Sequence, residues 1–295
     1  MDKVIQCHNI THYYGTKLVY EDLSFEVERG KVLGLLGKNG TGKTTIINIL
    51  NGFLKPRSGE CYLLGENIKT LNPHTKASIG LLLEQHVQYS FFNIQQIERF
   101  YRDFYPQWNA EAYYDLMSKL KVQPNQPISK MSCGQRSQVA LGLLFAQDPE
   151  LLILDDFSMG LDPGYRRLFV EYLRDWAHAG NKTIFLTSHI IQDMEFLIDD
   201  CMIMDYGKLM LHRPTREILE GFHRYRVLLH PEVKILESKD FKSTENRGDE
   251  WSFYSFLSEQ EVLVELSRMG ITPLQQMTVE RLSLEDAFIG LTGKY

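Results

Sequence analysis

Gly37-Lys38-Asn39-Gly40-Thr41-Gly42-Lys43-Thr44 has the residue types and spacing to hold a chain of phosphates. Its glycines let successive backbone N–H groups turn inward on phosphate oxygens, and a helix starting just after them adds the positive end of its dipole. Lys43 can reach the β- and γ-phosphates, and Thr44, followed by Thr45, can offer a hydroxyl to Mg2+. The expected ligands are ATP and Mg2+. A second chemical feature is Leu151-Leu152-Ile153-Leu154-Asp155-Asp156, two carboxylates directly after an apolar run. Parallel sheets bind ligands at such strand ends. Asp155 is the natural Mg2+ partner there, and Asp156 the candidate to polarise an attacking water. A third is Met131-Ser132-Cys133-Gly134-Gln135, ahead of a helical pattern through Ala140, Leu143 and Leu144. Its N–H groups and the Ser132 hydroxyl suit a second phosphate contact, and a plain helix N-cap explains Ser132 equally well.

These residues need elements to position them. The apolar run Val32 to Leu36 precedes the glycine-rich turn, and Thr44 to Leu50 reads as a helix, giving strand, loop, helix. Leu23 to Val27 is a shorter strand-like run. From Ile94 to about Asp148 the spacing predicts a helical insert, with Ile97, Phe100, Tyr101 and Phe104, then Tyr113, Leu116, Met117 and Leu120 on apolar faces, broken by prolines. Leu151 to Leu154 and Thr183 to Leu186 are continuously apolar, and the amphipathic Tyr165 to His178 between them predicts a βαβ unit in a buried parallel sheet. Past Pro214 the pattern changes. Strands at Tyr225 to Leu229 and Trp251 to Phe256, the latter after a polar turn with Asn246 and Gly248, are followed by a helix Ser258 to Met269, a strand near Leu274 to Val279 and a last helix from Ser283. The fold class is therefore α/β with a small C-terminal α+β appendage.

The formal net charge of -6 over 295 residues excludes no local basic patch, but it gives no bulk attraction to nucleic acid or anionic membranes. Cys7, Cys61, Cys133 and Cys201 show no C-x-x-C spacing, which fits reduced thiols. The N-terminus lacks a leader pattern, and no apolar run approaches the roughly 18 residues of a spanning helix, so a membrane role would have to come through a partner.

Taken in order, the phosphate loop, MSCGQ, LLILDDFSMGLDP and Ser188-His189 resemble the motifs of ATP-binding-cassette (ABC) ATPases over roughly Val4 to Leu211. The resemblance implies a P-loop NTPase cassette: a RecA-like α/β core with an antiparallel β subdomain and a helical subdomain at about 90–148, in an ATPase domain 1–220 followed by an accessory domain 221–295. It implies that Gly37 to Thr44 is Walker A, Asp155 the Walker B aspartate, and Gln85 the Q-loop glutamine near Mg2+. Met131 to Gln135, including Ser132, Gly134 and Gln135, corresponds to the signature motif that caps the γ-phosphate of the opposite subunit. Met159-Gly160-Leu161-Asp162 resembles the D-loop and His189 the switch histidine. Tyr14 resembles the aromatic that stacks on adenine, with Tyr13 as its competitor. The implied partners are a second cassette, identical or related, and a polytopic membrane subunit, with the chain peripheral on the cytoplasmic face of the membrane and no nucleic acid partner.

The sequence departs from the family pattern at four points. Met131 stands for the usual leucine, Cys133 for the first signature glycine, Asp156 for the catalytic glutamate and Phe157 for the following proline. Misplacing a water-positioning carboxylate by about 1 Å costs on the order of 10²-fold in rate, so slow hydrolysis is expected. The aromatic segment His86 to Phe92 suits a groove for a cytoplasmic helix of a membrane partner. The tail Leu282 to Gly293 is similar to that of bacterial ATPases driving drug, sodium and lantibiotic exporters, which points to export. The alternatives are a soluble, non-transport ABC ATPase and a weakly hydrolysing nucleotide-dependent interaction module.

Overall fold

The computed structural model describes residues 2–83, 89–105, 107–119, 123–158, 161–230, 232–233 and 238–293. The chain divides into two compact units, Met1–Ile198 with Met204–Leu209, and Asp199–Ile203 with Met210–Tyr295.

In the first unit, β1 (Lys3–Tyr14) and β2 (Lys17–Glu28) form a long hairpin turned at Gly15, whose φ of 60° lies in the region open to glycine. After β3 (Val32–Gly37) and α1 (Lys43–Leu50) come β4 (Ser58–Leu63) and β5 (Glu66–Asn67), which complete an antiparallel sheet in the order β2-β1-β4-β5. Cys7 and Cys61 face each other across β1 and β4 with their sulfurs 3.1 Å apart, as free buried thiols.

A short helix, α2 (Pro73–Ala77), leads into β6 (Ile79–Leu82). The insert follows as α3 (Ile94–Arg102), α4 (Ala110–Ser118), a 3-10 turn at Ile128–Lys130 and α5 (Cys133–Gln147). Its helices start where their caps dictate. Asn93 and Ser132 close full capping boxes with Gln96 and Gln135, and Asn109 accepts from the Ala112 N–H. Then come β7 (Leu151–Leu154), α6 (Pro163–Gly180), β8 (Thr183–Thr187) and α7 (Ile191–Glu195).

Strands β3, β8, β7 and β6 lie side by side in that order and all run parallel. Every residue of β7 is fully buried. Each such leucine contributes about 1.5–3 kcal/mol of burial free energy, and a strand covered on both faces has no polar alternation to show. The parallel register brings the carboxyl ends of β3, β7 and β8 together, and these ends carry the loop, the two aspartates and Ser188-His189.

Strands β9 (Asp200–Asp205) and β10 (Lys208–Pro214) and helix α8 (Thr215–Gly221) carry the chain onward. The second unit then holds β11 (His223–Leu228), β12 (Lys242–Arg247), β13 (Glu250–Ser255), α9 (Glu259–Arg268), β14 (Thr278–Arg281) and α10 (Leu284–Thr292), with the antiparallel order β12-β13-β11-β14. Alternate residues Tyr225 and Val227 of β11, with Trp251 and Phe253 of β13, join Val262 and Leu266 of α9 in one core. Two expectations need correction here. The polar stretch ahead of Gly248 is mostly strand, because β12 is an edge that pairs with β13 through its backbone while most of its side chains stay in solvent. The strand expected near Leu274 to Val279 forms at Thr278–Arg281. Leu274 is tied to β11 only by its N–H donating to the Leu228 carbonyl, at 2.8 Å.

Candidate functional site

The phosphate loop is held by its own side chains. Lys43 Nζ donates to the carbonyls of Gly37, at 2.7 Å, and Lys38, at 3.1 Å, while Thr41 Oγ1 donates to the Lys38 carbonyl at 2.8 Å. Three glycines are required by space or torsion, Gly40 by its φ of 78°. A Cβ on Gly37 would lie 2.5 Å from Thr41 Oγ1 and 2.9 Å from the Met204 carbonyl, and Gly42 caps α1 with φ of 104°. No side chain caps α1, so its leading N–H groups are left to whatever the loop cradles. Burial holds the pKa of Lys43 below its ordinary value, and the charges of Asp155 and Asp156 offset this only in part.

Facing the loop are the two carboxylates. Asp155 is 2% exposed; its N–H donates to the Leu82 carbonyl at 2.7 Å and its Oδ1 accepts from Thr187 Oγ1 at 2.7 Å, while Oδ2 is buried with no hydrogen-bond partner among the described residues. Asp156 occupies left-handed backbone at φ 46°, a strained position for a residue with a Cβ. Thr187 Oγ1 accepts its N–H at 3.0 Å, and its Oδ1 accepts the His189 N–H at 3.1 Å. Its Oδ2 lies 3.4 Å from His189 Nε2, outside hydrogen-bond geometry, on a half-exposed imidazole. Ser188 Oγ meets Ser158 Oγ at 3.0 Å and accepts the Ile190 N–H, which fixes the turn that presents His189.

These groups share one cavity of about 300 Å³, lined by Tyr14, Lys17, Val19, Asn39, Gly40, Gly42, Lys43, Thr44, Thr45, Asp155, Asp156, Thr187, Ser188 and His189. Tyr14 is half-exposed at its mouth with its hydroxyl 3.4 Å from Thr45 Oγ1; Tyr13, the competitor for the adenine, is not among the lining residues. Gly37, Lys38 and Thr41 build the loop from behind.

Ser132, Gly134 and Gln135 are not in that cavity. Ser132 Oγ accepts the Gln135 N–H at 3.2 Å and Gln135 Oε1 accepts the Ser132 N–H at 2.9 Å, so within this chain both act as a helix cap. A Cβ on Gly134 would lie 3.3 Å from the Tyr165 ring, whereas Cys133 is exposed. Asp162 caps α6, accepting from the N–H groups of Gly164 and Tyr165. Gln85, His86, Leu120, Met159 and Gly160 lie outside the described residues.

Two residues that the sequence reading passes over prove central to the geometry. Thr187 holds both aspartates with one hydroxyl. The only signal for it was its place at the end of an apolar strand, directly before Ser188-His189. Tyr20, on β2, is fully buried beneath the loop, and nothing in its local pattern marks it.

Known proteins resemble this chain in sequence and in fold. A family profile described as ABC transporter matches residues 20–158. The Nod factor export ATP-binding protein I of Rhizobium meliloti is 32% identical over 98% of this chain and 88% of its own length. An uncharacterized ABC transporter ATP-binding protein of Bacillus subtilis, YhcH, is 28% identical over 100% of this chain and 97% of its own length. A solved ATP-binding subunit of an ABC transporter shares the fold with a TM-score of 0.66 at 24% identity, covering 74% of this chain and 92% of that one. The chain belongs to the ABC transporter family, as one of its ATP-binding, ATP-hydrolysing subunits.

Proposed function

We propose that this ATPase subunit works in pairs, each phosphate loop holding an ATP that the signature turn Ser132 to Gln135 of the other cassette closes over. The convergence of Lys43, Thr44, Asp155, Asp156 and His189 on one cavity carries this reading. Its volume of about 300 Å³ sits at the small end of ligand pockets, about 300–1,000 Å³, as suits a cleft that a second surface completes. The capped, outward-facing start of α5 supplies such a surface.

The residues fit Mg2+. The buried, unpartnered Oδ2 of Asp155 and the exposed hydroxyl of Thr44 are hard oxygen donors lining the same cavity, and Gln85 joins them by family resemblance. When bound there, Mg2+ neutralises charge on the β- and γ-phosphate oxygens. Lys43 releases the loop carbonyls to engage the phosphates, Asp156 orients the attacking water, and His189 contacts the γ-phosphate. Asp156 is one methylene shorter than the family's glutamate, and its Oδ1 is already held by the His189 N–H. Turnover is accordingly slow.

Dimer closure drives a separate membrane-spanning subunit, in the direction of export. Among the described residues no helix is long and apolar enough to cross a membrane, so the chain sits at the cytoplasmic face through that partner. A groove of about 550 Å³ lined by Phe53, Leu71, Tyr101 and Phe104 suits a helix from it, and Phe91, 68% exposed, packs at a tilt against its neighbour Phe92. The relative from Rhizobium meliloti, named for Nod factor export, supports the exporter assignment. Residues 221–295 are assigned a regulatory or dimer-stabilising role; a deletion that leaves dimerisation and turnover unchanged removes that assignment. The test of the whole reading is purification of the tagged chain from its native membranes in mild detergent. A polytopic membrane protein in stoichiometric amount is expected, and a complex without one would overturn the reading.

A further inference from the structure

We infer that Tyr20 is a positioning residue for the phosphate loop, fixing the Gly42 carbonyl from beneath through its hydroxyl and thereby setting nucleotide affinity. This rests on the reading that Gly37 to Thr44 holds the phosphates. Gly42 is the point where the loop becomes helix. Its carbonyl accepts the Ile46 N–H at 3.0 Å, opening the ladder of α1, and accepts the Tyr20 hydroxyl as well, so both lone pairs are engaged. The Tyr20 ring fills the space under the same residue: a Cβ on Gly42 would stand 2.5 to 2.8 Å from the ring and its hydroxyl. Gly42 is thus glycine both for its φ of 104° and because a tyrosine occupies the room a side chain would need.

Lys43 and Thr41 also brace the loop, from within it. In the proposed mechanism Lys43 leaves those carbonyls for the phosphates. Tyr20 does not have to leave, because it is absent from the cavity lining. It belongs to β2, which pairs with β1, the strand that ends in Tyr14; His12 of β1 lies opposite Tyr20 and packs edge-on against Tyr14 with ring centroids 5.0 Å apart. One sheet therefore positions both the loop and the aromatic at the mouth of the cavity. Full burial raises the phenol pKa, keeping the hydroxyl protonated and able to donate throughout the working pH range.

The experiment measures ATP affinity, KM, kcat and the thermal midpoint of the full chain, its Tyr20→Phe variant and its Lys43→Ala variant. Tyr20→Phe keeps the ring and deletes the donor. Losing one hydrogen bond that orders the binding loop should weaken ATP binding and raise KM about fivefold, with kcat unchanged, since the contact is the same in ground and transition states. A variant with ATP affinity and KM within twofold of the parent, while Lys43→Ala has lost binding, overturns the inference. So does a fall in kcat that follows a loss of folded protein with KM unmoved, which would make Tyr20 structural only. Undiminished ATP binding by Lys43→Ala would instead remove the phosphate-loop reading on which the inference stands.

Discussion

Two buried carboxylates in this molecule are treated in opposite ways. Glu98, fully buried on α3, has both oxygens satisfied by the chain: Oε1 accepts from Arg102 Nε at 3.0 Å and Trp108 Nε1 at 2.8 Å, and Oε2 accepts from Arg102 Nη2 at 2.5 Å and the Tyr114 hydroxyl at 3.2 Å. Asp155, at 2% exposure, has one oxygen held by Thr187 and the other without a hydrogen-bond partner among the described residues. Burying a charge without partners is expensive. A fold that completes the network around Glu98 and leaves Asp155 open fits the proposal that the second receives a group arriving from outside. The lesson is that burial alone does not mark a functional acid. Unfinished hydrogen bonding, beside a neighbour in the same condition such as Asp156, does.

This contrast can be broken at several points. Asp155→Asn should have the largest effect on chemistry, lowering ATP turnover about 10³-fold through loss of charge stabilisation at the phosphates. The thermal midpoint of the nucleotide-free protein should hold steady or rise, because an uncharged amide is cheaper to bury with an oxygen or nitrogen unpartnered than a carboxylate. Steady-state phosphate release and a melting curve on the same preparation check both halves. Asp156→Asn should cost about 10²-fold in turnover while ATP binding persists, as expected for removal of a base that orients water. Asp156→Glu should run the other way, raising turnover about tenfold by restoring the reach of the longer acid; a rate equal to the parent's would show that the backbone at Asp156 already compensates.

Smaller effects fall on stability. Glu98→Gln should destabilise the fold by about 1–3 kcal/mol, because the Arg102 guanidinium and the Trp108 N–H lose their charged acceptor, with turnover per folded molecule unchanged. Denaturant titration against activity separates the two. Thr187→Val should cost a similar 1–3 kcal/mol by orphaning Asp155 Oδ1 and the Asp156 N–H, and here activity falls too. The smallest effect is with pH. Burial raises the pKa of Glu98, but its hydrogen bonds to Arg102 and Trp108 outweigh that and leave it below the ordinary 4.5. Its contribution is therefore whole above the unfolded value and lost as pH falls through the lower folded one. Glu98→Gln should flatten that part of the acid limb of a stability profile.

The parts of the site legible in the sequence were those fixed by local chemistry. The loop from Gly37 to Thr44 and the pair Asp155 and Asp156 each follow an apolar strand, and the torsions or charges that make them useful are written in adjacent residues. The parallel strands β3, β7 and β8 were legible because continuous burial leaves continuous apolar runs. What escaped depends on contacts distant in the chain. Thr187 matters because β8 lies beside β7, and Tyr20 because the fold brings it against Gly42, neither of which a local pattern can express. Strand β12 escaped for another reason: KSTENR is an edge whose stabilisation comes from backbone pairing, so its polar side chains read as a turn. That Tyr14 and not Tyr13 lines the cavity needed geometry as well, since alternate strand residues point to opposite faces and only the cavity tells which face is which.

The most direct test of the paired-cassette account is the solution mass of the Asp156→Asn chain with Mg2+ and ATP, set against the same chain without nucleotide. The account predicts a monomer without ATP and a dimer holding two ATP with it. A chain that binds ATP and remains a monomer would contradict it.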